Sequence, residues 1–177
     1  MTSTHALQFR RATPEDAPEI VALVNACYRG DSSRVGWTTE ADLLDGTRTD
    51  DVEITKLITD PDSMILVCTS DDEIIGSVNI EKQNTSSYLG MLVVKPGLQG
   101  SGIGRQLIDA AERQARATWG SSKMTMSVIT VRPELLAYYE RRGYRRTGQI
   151  QPFAFDDVHG ILKVDRLELE VLEKDLQ

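Results

Sequence analysis

Four glycines, Gly97, Gly100, Gly102 and Gly104, fall within eight residues. They follow an apolar strand-like run, Tyr88–Val94, and precede a helical pattern running from Gly102 to about Trp119. A strand must therefore end and a helix begin across a loop with few side chains. Successive small residues let backbone N–H groups converge on one point, and the helix N-terminus adds the positive end of its dipole. Gln99-Gly100-Ser101-Gly102-Ile103-Gly104 is thus either a phosphate nest or a plain turn with a helix cap. Two common phosphate loops do not fit. A Walker A loop needs Lys and then Ser or Thr after its last glycine, and here Ile103 follows Gly102. A dinucleotide fingerprint needs G-x-G-x-x-G inside a βαβ unit, whereas G-x-G-x-G follows a run of strands here.

Those strands are read from local patterns. Leu7–Arg11 alternates like a strand. Thr13-Pro14-Glu15-Asp16 starts a helix, with Thr as N-cap and Pro at the first position. Ile20, Leu23, Val24 and Cys27 continue it at helical spacing. Two short helical pieces are predicted near Thr39–Leu44 and Asp51–Thr59. Met64–Thr69, Ile74–Glu81 and Tyr88–Val94 read as three consecutive antiparallel strands, separated by polar turns. After the glycine loop and its helix come a strand at Lys123–Ile129 and a helix at Pro133–Arg142 that Gly143 ends. Tyr144–Ile150 and Leu167–Leu172 read as closing strands. The predicted class is α/β in the broad sense (α+β): a mixed, mostly antiparallel sheet with helices on both faces.

The 177 residues are expected to form one domain. Hydrophobic residues make up 40% and charged residues 27%, which excludes a collagen-like or disordered chain. No apolar run approaches the ~18–20 residues that span a membrane, and Met1–Gln8 lacks the pattern of a signal peptide. Cys27 and Cys68 sit in apolar patterns and read as small core residues. A cytoplasmic location is therefore expected, with no membrane partner. The net charge of −7 and pI near 4.9 disfavour nucleic acid as a partner. The charge is unevenly placed. Residues 31–62 hold nine acids against three bases, while Gln99 to Arg146 holds nine bases against four acids.

Leu92-Val93-Val94-Lys95-Pro96-Gly97-Leu98-Gln99-Gly100-Ser101-Gly102-Ile103-Gly104-Arg105-Gln106-Leu107 resembles the acetyl-CoA-binding motif of the GNAT N-acetyltransferases, L-x-V-x-P-x-x-[QR]-G-x-G-[IL]-G-x-x-L. Tyr139-Glu140-Arg141-Arg142-Gly143-Tyr144 is similar to the family's Y-E-x-x-G-[FY] motif. The resemblance implies the acyl-CoA N-acyltransferase fold over a single domain, with a CoA-binding core at 88–146 and an acidic acceptor-side arm at 31–62. It implies acetyl-CoA as cosubstrate, no metal, and a small-molecule or peptide amine as acceptor. A homodimer is one assembly it allows. The pyrophosphate would lie on the amides from Gln99 through Gly100, Ser101, Gly102 and Ile103 to Gly104, with Arg105 nearby. The pantetheine arm would bond the backbone of Leu92, Val93 and Val94, and the amide of Val93 or a neighbour would polarise the thioester carbonyl. The side chains of Leu92 and Val94 are expected only to pack.

Tyr139 matches the position whose phenol would protonate the departing thiolate. Its alternative is a half-buried helix tyrosine packing near Leu135 and Leu136. Tyr138, turned about 100° around the helix, is expected to pack. The sequence also departs from the family. Arg132 stands where many members have Asn; it would meet a CoA phosphate or remain a solvated charge at the start of the helix. Tyr88–Val94 holds no acid or His, so the base that deprotonates the substrate ammonium is left open among Glu81, Glu40 and a water chain. His159 lies in a loop that often lines the family's acceptor site. The acidic arm, with Trp37 near it, would suit a cationic amine such as a polyamine or basic peptide; the alternative is a solvated loop. A non-catalytic CoA-binding sensor is the competing function.

Overall fold

The computed structural model describes residues 6–28, 44–45, 48–152, 161–162 and 167–177. In chain order the elements are β1 (Gln8–Arg11), a 3₁₀ turn (Pro14–Asp16), α1 (Ala17–Tyr28), β2 (Leu44–Asp45), α2 (Asp51–Thr59), β3 (Ser63–Ser70), β4 (Glu73–Gln83) and β5 (Ser86–Val94). Then follow α3 (Ile103–Trp119), β6 (Lys123–Ile129), α4 (Pro133–Arg141), β7 (Arg145–Pro152), β8 (Ile161–Leu162) and β9 (Glu168–Asp175). Seven strands form one sheet in the order β1-β3-β4-β5-β6-β9-β7, and β2 pairs with β8 apart from it. Within the large sheet, β5 and β6 run parallel and the other neighbours antiparallel.

Local chemistry sets several boundaries. The Asp16 carboxylate accepts from the Thr13 N–H at 2.8 Å and from the Arg10 guanidinium at 2.7 and 2.9 Å. One side chain therefore caps the turn before α1 and ties it to β1. The Asp50 carboxylate accepts from the Glu53 N–H at 2.8 Å and starts α2. Gly102 stands at the N-cap of α3 with φ +86°, a left-handed conformation that a side chain would strain.

The β3–β4–β5 meander is as the sequence predicts. Helices cover both faces. Ile20, Val24 and Cys27 of α1 and Ile54 and Ile58 of α2 pack on Ile65, Val67, Met91 and Val93. On the opposite face Leu107, Ile108 and Ala111 of α3 and Leu136 of α4 pack on Leu66, Val78, Ile80, Leu89, Leu92 and Val94. Leu92 and Val94 are thus core side chains, as expected. Leu89 and Leu92 share one face although they stand three positions apart, so the alternation in β5 slips by one position. The register slips at the same place, between Ser77 and Asn79 of β4, and Met91 takes a positive φ of 47°. This is a β-bulge.

Two sequence expectations change, and one feature is new. Of the helix predicted at Thr39–Leu44, residues 39–43 lie outside the described residues, and Leu44 opens β2 instead. The closing strands run longer than predicted. β9 also inserts between β6 and β7, an order that hydrophobic spacing does not encode. Cys27 and Cys68 are buried thiols not joined in a disulfide, and burial pushes their pKa up to about 12 and about 11.

Candidate active site

β5 and β6 are both interior strands, yet they pair only where Ser86, Ser87 and Tyr88 meet Lys123, Met124 and Thr125. Beyond that point β5 stays bonded to β4 as far as Val94, and β6 stays bonded to β9 as far as Ile129. The sheet therefore splits down its middle. The split leaves backbone edges that can take an added strand-like segment, and the bulge at Met91 lies on one lip.

Two cavities are built around this split. One, of about 230 Å³, is lined by Val94, Gln99, Gly100, Gly102, Ile103, Gly104 and Arg105, with Tyr138 and Arg142 from α4. Ser101 stands within the same loop, its hydroxyl donating to the Leu98 carbonyl. A Cβ on Gly104 would lie 2.9 Å from the Tyr138 hydroxyl, so any side chain there would push that ring aside. The Arg142 guanidinium stands 4.7 Å from the centroid of Tyr138, and its Nε is buried without a hydrogen-bond partner. A buried unsatisfied donor is unfavourable by roughly 1–3 kcal/mol, and the rest of the Arg142 guanidinium brings positive charge to the cavity. With the α3 N-terminus and Arg105, the cavity fits a phosphate or pyrophosphate group. Sequence reading assigned Tyr138 to packing and gave Arg142 no role; both also face this cavity.

The other cavity, of about 250 Å³, lies beside the bulge. Its lining includes Glu81 from β4, Tyr88, Gly90 and Met91 from β5, Ser127 from β6 and Tyr139 from α4. Adjacent residues of one short helix thus serve two cavities, because a helix turns about 100° per residue. The Tyr139 ring makes edge contacts with Tyr138 at 5.3 Å and Tyr144 at 6.3 Å. Burial, with Tyr28, Tyr138 and Tyr88 adding to it, holds the Tyr139 phenol protonated far above its ordinary range. Glu81 is half-buried near Asp60 and Glu53, and its carboxyl holds a proton more tightly than a free one. Desolvation is the larger cause, the two carboxylates add to it, and Lys56 opposes it.

Of the residues singled out from sequence, Gln99, Gly100, Gly102, Ile103, Gly104 and Arg105 line the first cavity, Ser101 lines neither, and Glu81 joins Tyr139 in the second. Val93 is buried against α1 and α2, and its side chain does not line either cavity. Arg132 lines the second cavity, where its guanidinium bonds Glu134, and does not line the glycine-loop cavity. Trp37, Glu40, His159 and residues 31–43 and 46–47 of the acidic arm lie outside the described residues. Among the described residues, no group of three or more His, Cys, Asp or Glu is placed to hold a metal ion, and no helix is long and apolar enough to cross a membrane.

Residues 44–158 match the acetyltransferase (GNAT) domain family. No curated protein matches the chain. Among solved structures, the fold is shared with the ribosomal-protein-S18-alanine N-acetyltransferase of Escherichia coli, at 12% identity and TM-score 0.72, over 97% of this chain and 95% of that one. It is shared with an N-acetyltransferase of Staphylococcus aureus Mu50 at 16% identity and TM-score 0.73, over 97% and 99% of the two chains. Nourseothricin acetyltransferase is similar at 21% identity and TM-score 0.67, over 97% and 99%. The seven-stranded split sheet, the glycine loop at its crossover helix and the family match agree: the chain is a member of the GNAT acetyltransferase family.

Proposed function

We propose that the protein transfers an acetyl group from acetyl-CoA to a primary amine by direct attack, with both substrates held together. The observation that carries this reading is the cavity at the sheet split, where Glu81 and Tyr139 line the space beside the Met91 bulge. The pyrophosphate of acetyl-CoA suits the glycine-loop cradle, with Gln99, Gly100, Ser101, Gly102, Ile103 and Gly104 offering backbone, and Arg105 and Arg142 offering charge. The pantetheine arm suits the open edge of β5 from Leu92 to Val94. The Leu92 carbonyl already accepts from the Tyr28 hydroxyl at 3.1 Å, and the Val94 carbonyl accepts from the Cys27 thiol and the Gln99 amide at 3.4 Å each. Polarising the thioester carbonyl needs donors, a role that suits the backbone N–H groups around the bulge.

Glu81 takes the ammonium proton, directly or through one water, and frees the amine lone pair. The amine nitrogen bonds the thioester carbon, and the oxyanion that forms is held by backbone N–H groups. The C–S bond then breaks, the Tyr139 phenol gives its proton to the departing thiolate, and the extra proton on the new amide nitrogen passes to the phenolate, while Glu81 returns its proton to solvent. A phenol kept neutral by burial is in the correct state for that task. Holding both substrates in one geometry supplies much of the acceleration.

The test is thiol release from acetyl-CoA across an amine panel, with wild type and Tyr139→Phe compared. The variant is expected to lose on the order of 10²-fold in kcat while the acetyl-CoA KM holds. Acetyl-CoA binding without thiol release from any amine would favour the sensor reading. An unchanged kcat in the variant would remove Tyr139 from the chemistry.

A further inference from the structure

Arg48 is a guanidinium set into the cavity that holds Glu81 and Tyr139, and nothing in the transfer chemistry uses it. Its place is built with care. Asn25 of α1 accepts the backbone N–H of Arg48 at 2.8 Å and of Thr49 at 3.1 Å, and donates its side-chain N–H to the Thr49 carbonyl at 3.1 Å. Three bonds thus clamp the backbone at Arg48 and Thr49 to α1. The guanidinium stands 5.5 Å from the centroid of the Tyr28 ring. That ring is itself anchored, since its hydroxyl donates to the Leu92 carbonyl at 3.1 Å. Among the described residues, no carboxylate pairs with Arg48. Arg132, the second guanidinium in the lining, is bonded to Glu134. Glu53, the nearest acid along the chain inside the cavity, accepts from the Thr49 hydroxyl at 2.6 Å.

Among the described residues, the cavity therefore holds a guanidinium stacked on an aromatic ring with no carboxylate bonded to it and, in Glu81, a carboxylate that no cation bonds directly, Lys56 acting on it only through its field. A cavity with both unmet charges complements a molecule that carries both opposite charges. Resting on the acetyl-transfer reading, we infer that the acceptor is a small amine that also bears an anionic oxygen group. Its ammonium faces Glu81 and its carboxylate or phosphoryl group is held by Arg48. The volume of about 250 Å³ suits an amino acid or an aminoalkyl phosphate. This differs from the polyamine or basic peptide suggested by the composition of residues 31–62. An arginine fork binds carboxylate and phosphate through two parallel N–H···O bonds, which gives orientation as well as affinity. A rigid fork on an aromatic face loses little freedom on binding.

The experiment uses matched triads: an α-amino acid, its carboxamide and the decarboxylated amine, built on the alanine, leucine and serine side chains. 2-Aminoethyl phosphate serves as the phosphoryl arm. Two readouts are taken: thiol release from acetyl-CoA, and calorimetric binding to the protein saturated with CoA. Wild type is expected to prefer an anionic member by about tenfold or more over its neutral partner, the range for a hydrogen bond to a charged group. Arg48→Gln is expected to bring the acid down to the level of the carboxamide, chiefly through KM. Arg48→Lys is expected to restore part of the preference, because charge returns without the fork. The phosphate and the amino acids, compared with each other, identify which anionic group the site takes. Equal binding of acid, carboxamide and plain amine by wild type would overturn the inference, and so would a preference that survives Arg48→Gln with the variant's melting temperature intact. Selective binding of the acid without thiol release would support the anchor and sink the transfer chemistry instead.

Discussion

At the scale of single residues, the cradle depends on one contact that no side-chain substitution can respect. Gly104 lies under the Tyr138 hydroxyl, and the next tyrosine atom is 3.9 Å from where a Cβ would sit. Gly104→Ala is therefore expected to displace the ring and raise the acetyl-CoA KM, on the order of tenfold for a loss near 1.4 kcal/mol. Tyr138→Phe removes the clashing oxygen and leaves the ring. The double variant should recover most of the affinity, and kinetics on the four proteins of the cycle check this. If the two effects simply add, the contact is not the cause. The residues at this site differ in how far the sequence discloses them. Gln99 to Arg105 are legible because a run of small residues before a helix has a local physical meaning. Arg142 and Arg48 are not, since their roles come from a cavity and from an aromatic ring brought near by folding. Glu81 was one of three candidate bases; it lines the cavity with Tyr139, as Glu53 also does, while Glu40 lies outside the described residues.

At the scale of elements, the strands and helices that flank the site follow from short-range patterns, whereas the feature that opens the site does not. The bulge needs a methionine at φ +47°, and nothing in the apolar run Tyr88–Val94 signals it. Its trace is a slipped alternation that shows only once Leu89 and Leu92 are seen on one face. The insertion of β9 beside β6 is also beyond local reading, being a pairing of residues about 50 apart, such as Lys123 with Asp175. The start of α1 is a local device, and its energetics can be read through pH. Arg10, then the Thr13 N–H and hydroxyl, hold the Asp16 carboxyl at about 2, with burial opposing them. A carboxyl whose pKa is depressed by folding stabilises the fold above its unfolded pKa and loses that contribution as pH falls through its folded one. Asp16→Asn should therefore lower stability at pH 7 by about 1 kcal/mol, the upper range for a pair that is partly exposed. In melting temperature that is roughly 2–4 °C. The gap between variant and wild type should close as pH falls from about 4 to about 2. A gap that persists at pH 2 would mean that the cap, and not the ion pair, carries the effect.

At the scale of the whole molecule, the parts converge because the sheet divides. β4 brings Glu81, α4 brings Tyr139 and the segment before α2 brings Arg48 to one cavity, while the glycine loop and α4 form the second. The charge distribution follows the same plan. Gln99 to Arg146 is basic where an anionic cosubstrate would sit, although the chain as a whole carries −7. That asymmetry is plain in the sequence, whereas the pairing of Glu81 with Tyr139 needs the fold. Glu81 is also where function and stability oppose one another. Folding raises its pKa, so its charged form destabilises the fold at pH values above the folded pKa. Glu81→Gln should raise the melting temperature at pH 7 and show no gain below the unfolded pKa of a carboxyl.

Direct acetyl transfer with Glu81 as base is tested most plainly by the pH dependence of kcat/KM for thiol release from acetyl-CoA, measured in wild type and Glu81→Gln. Wild-type activity should fall on the acid side through a single ionisation above the ordinary glutamate range, because the protonated carboxyl cannot accept the ammonium proton. Glu81→Gln should lower the plateau on the order of 10²-fold and erase that acid limb. A variant that keeps both the wild-type plateau and its acid limb would contradict the assignment.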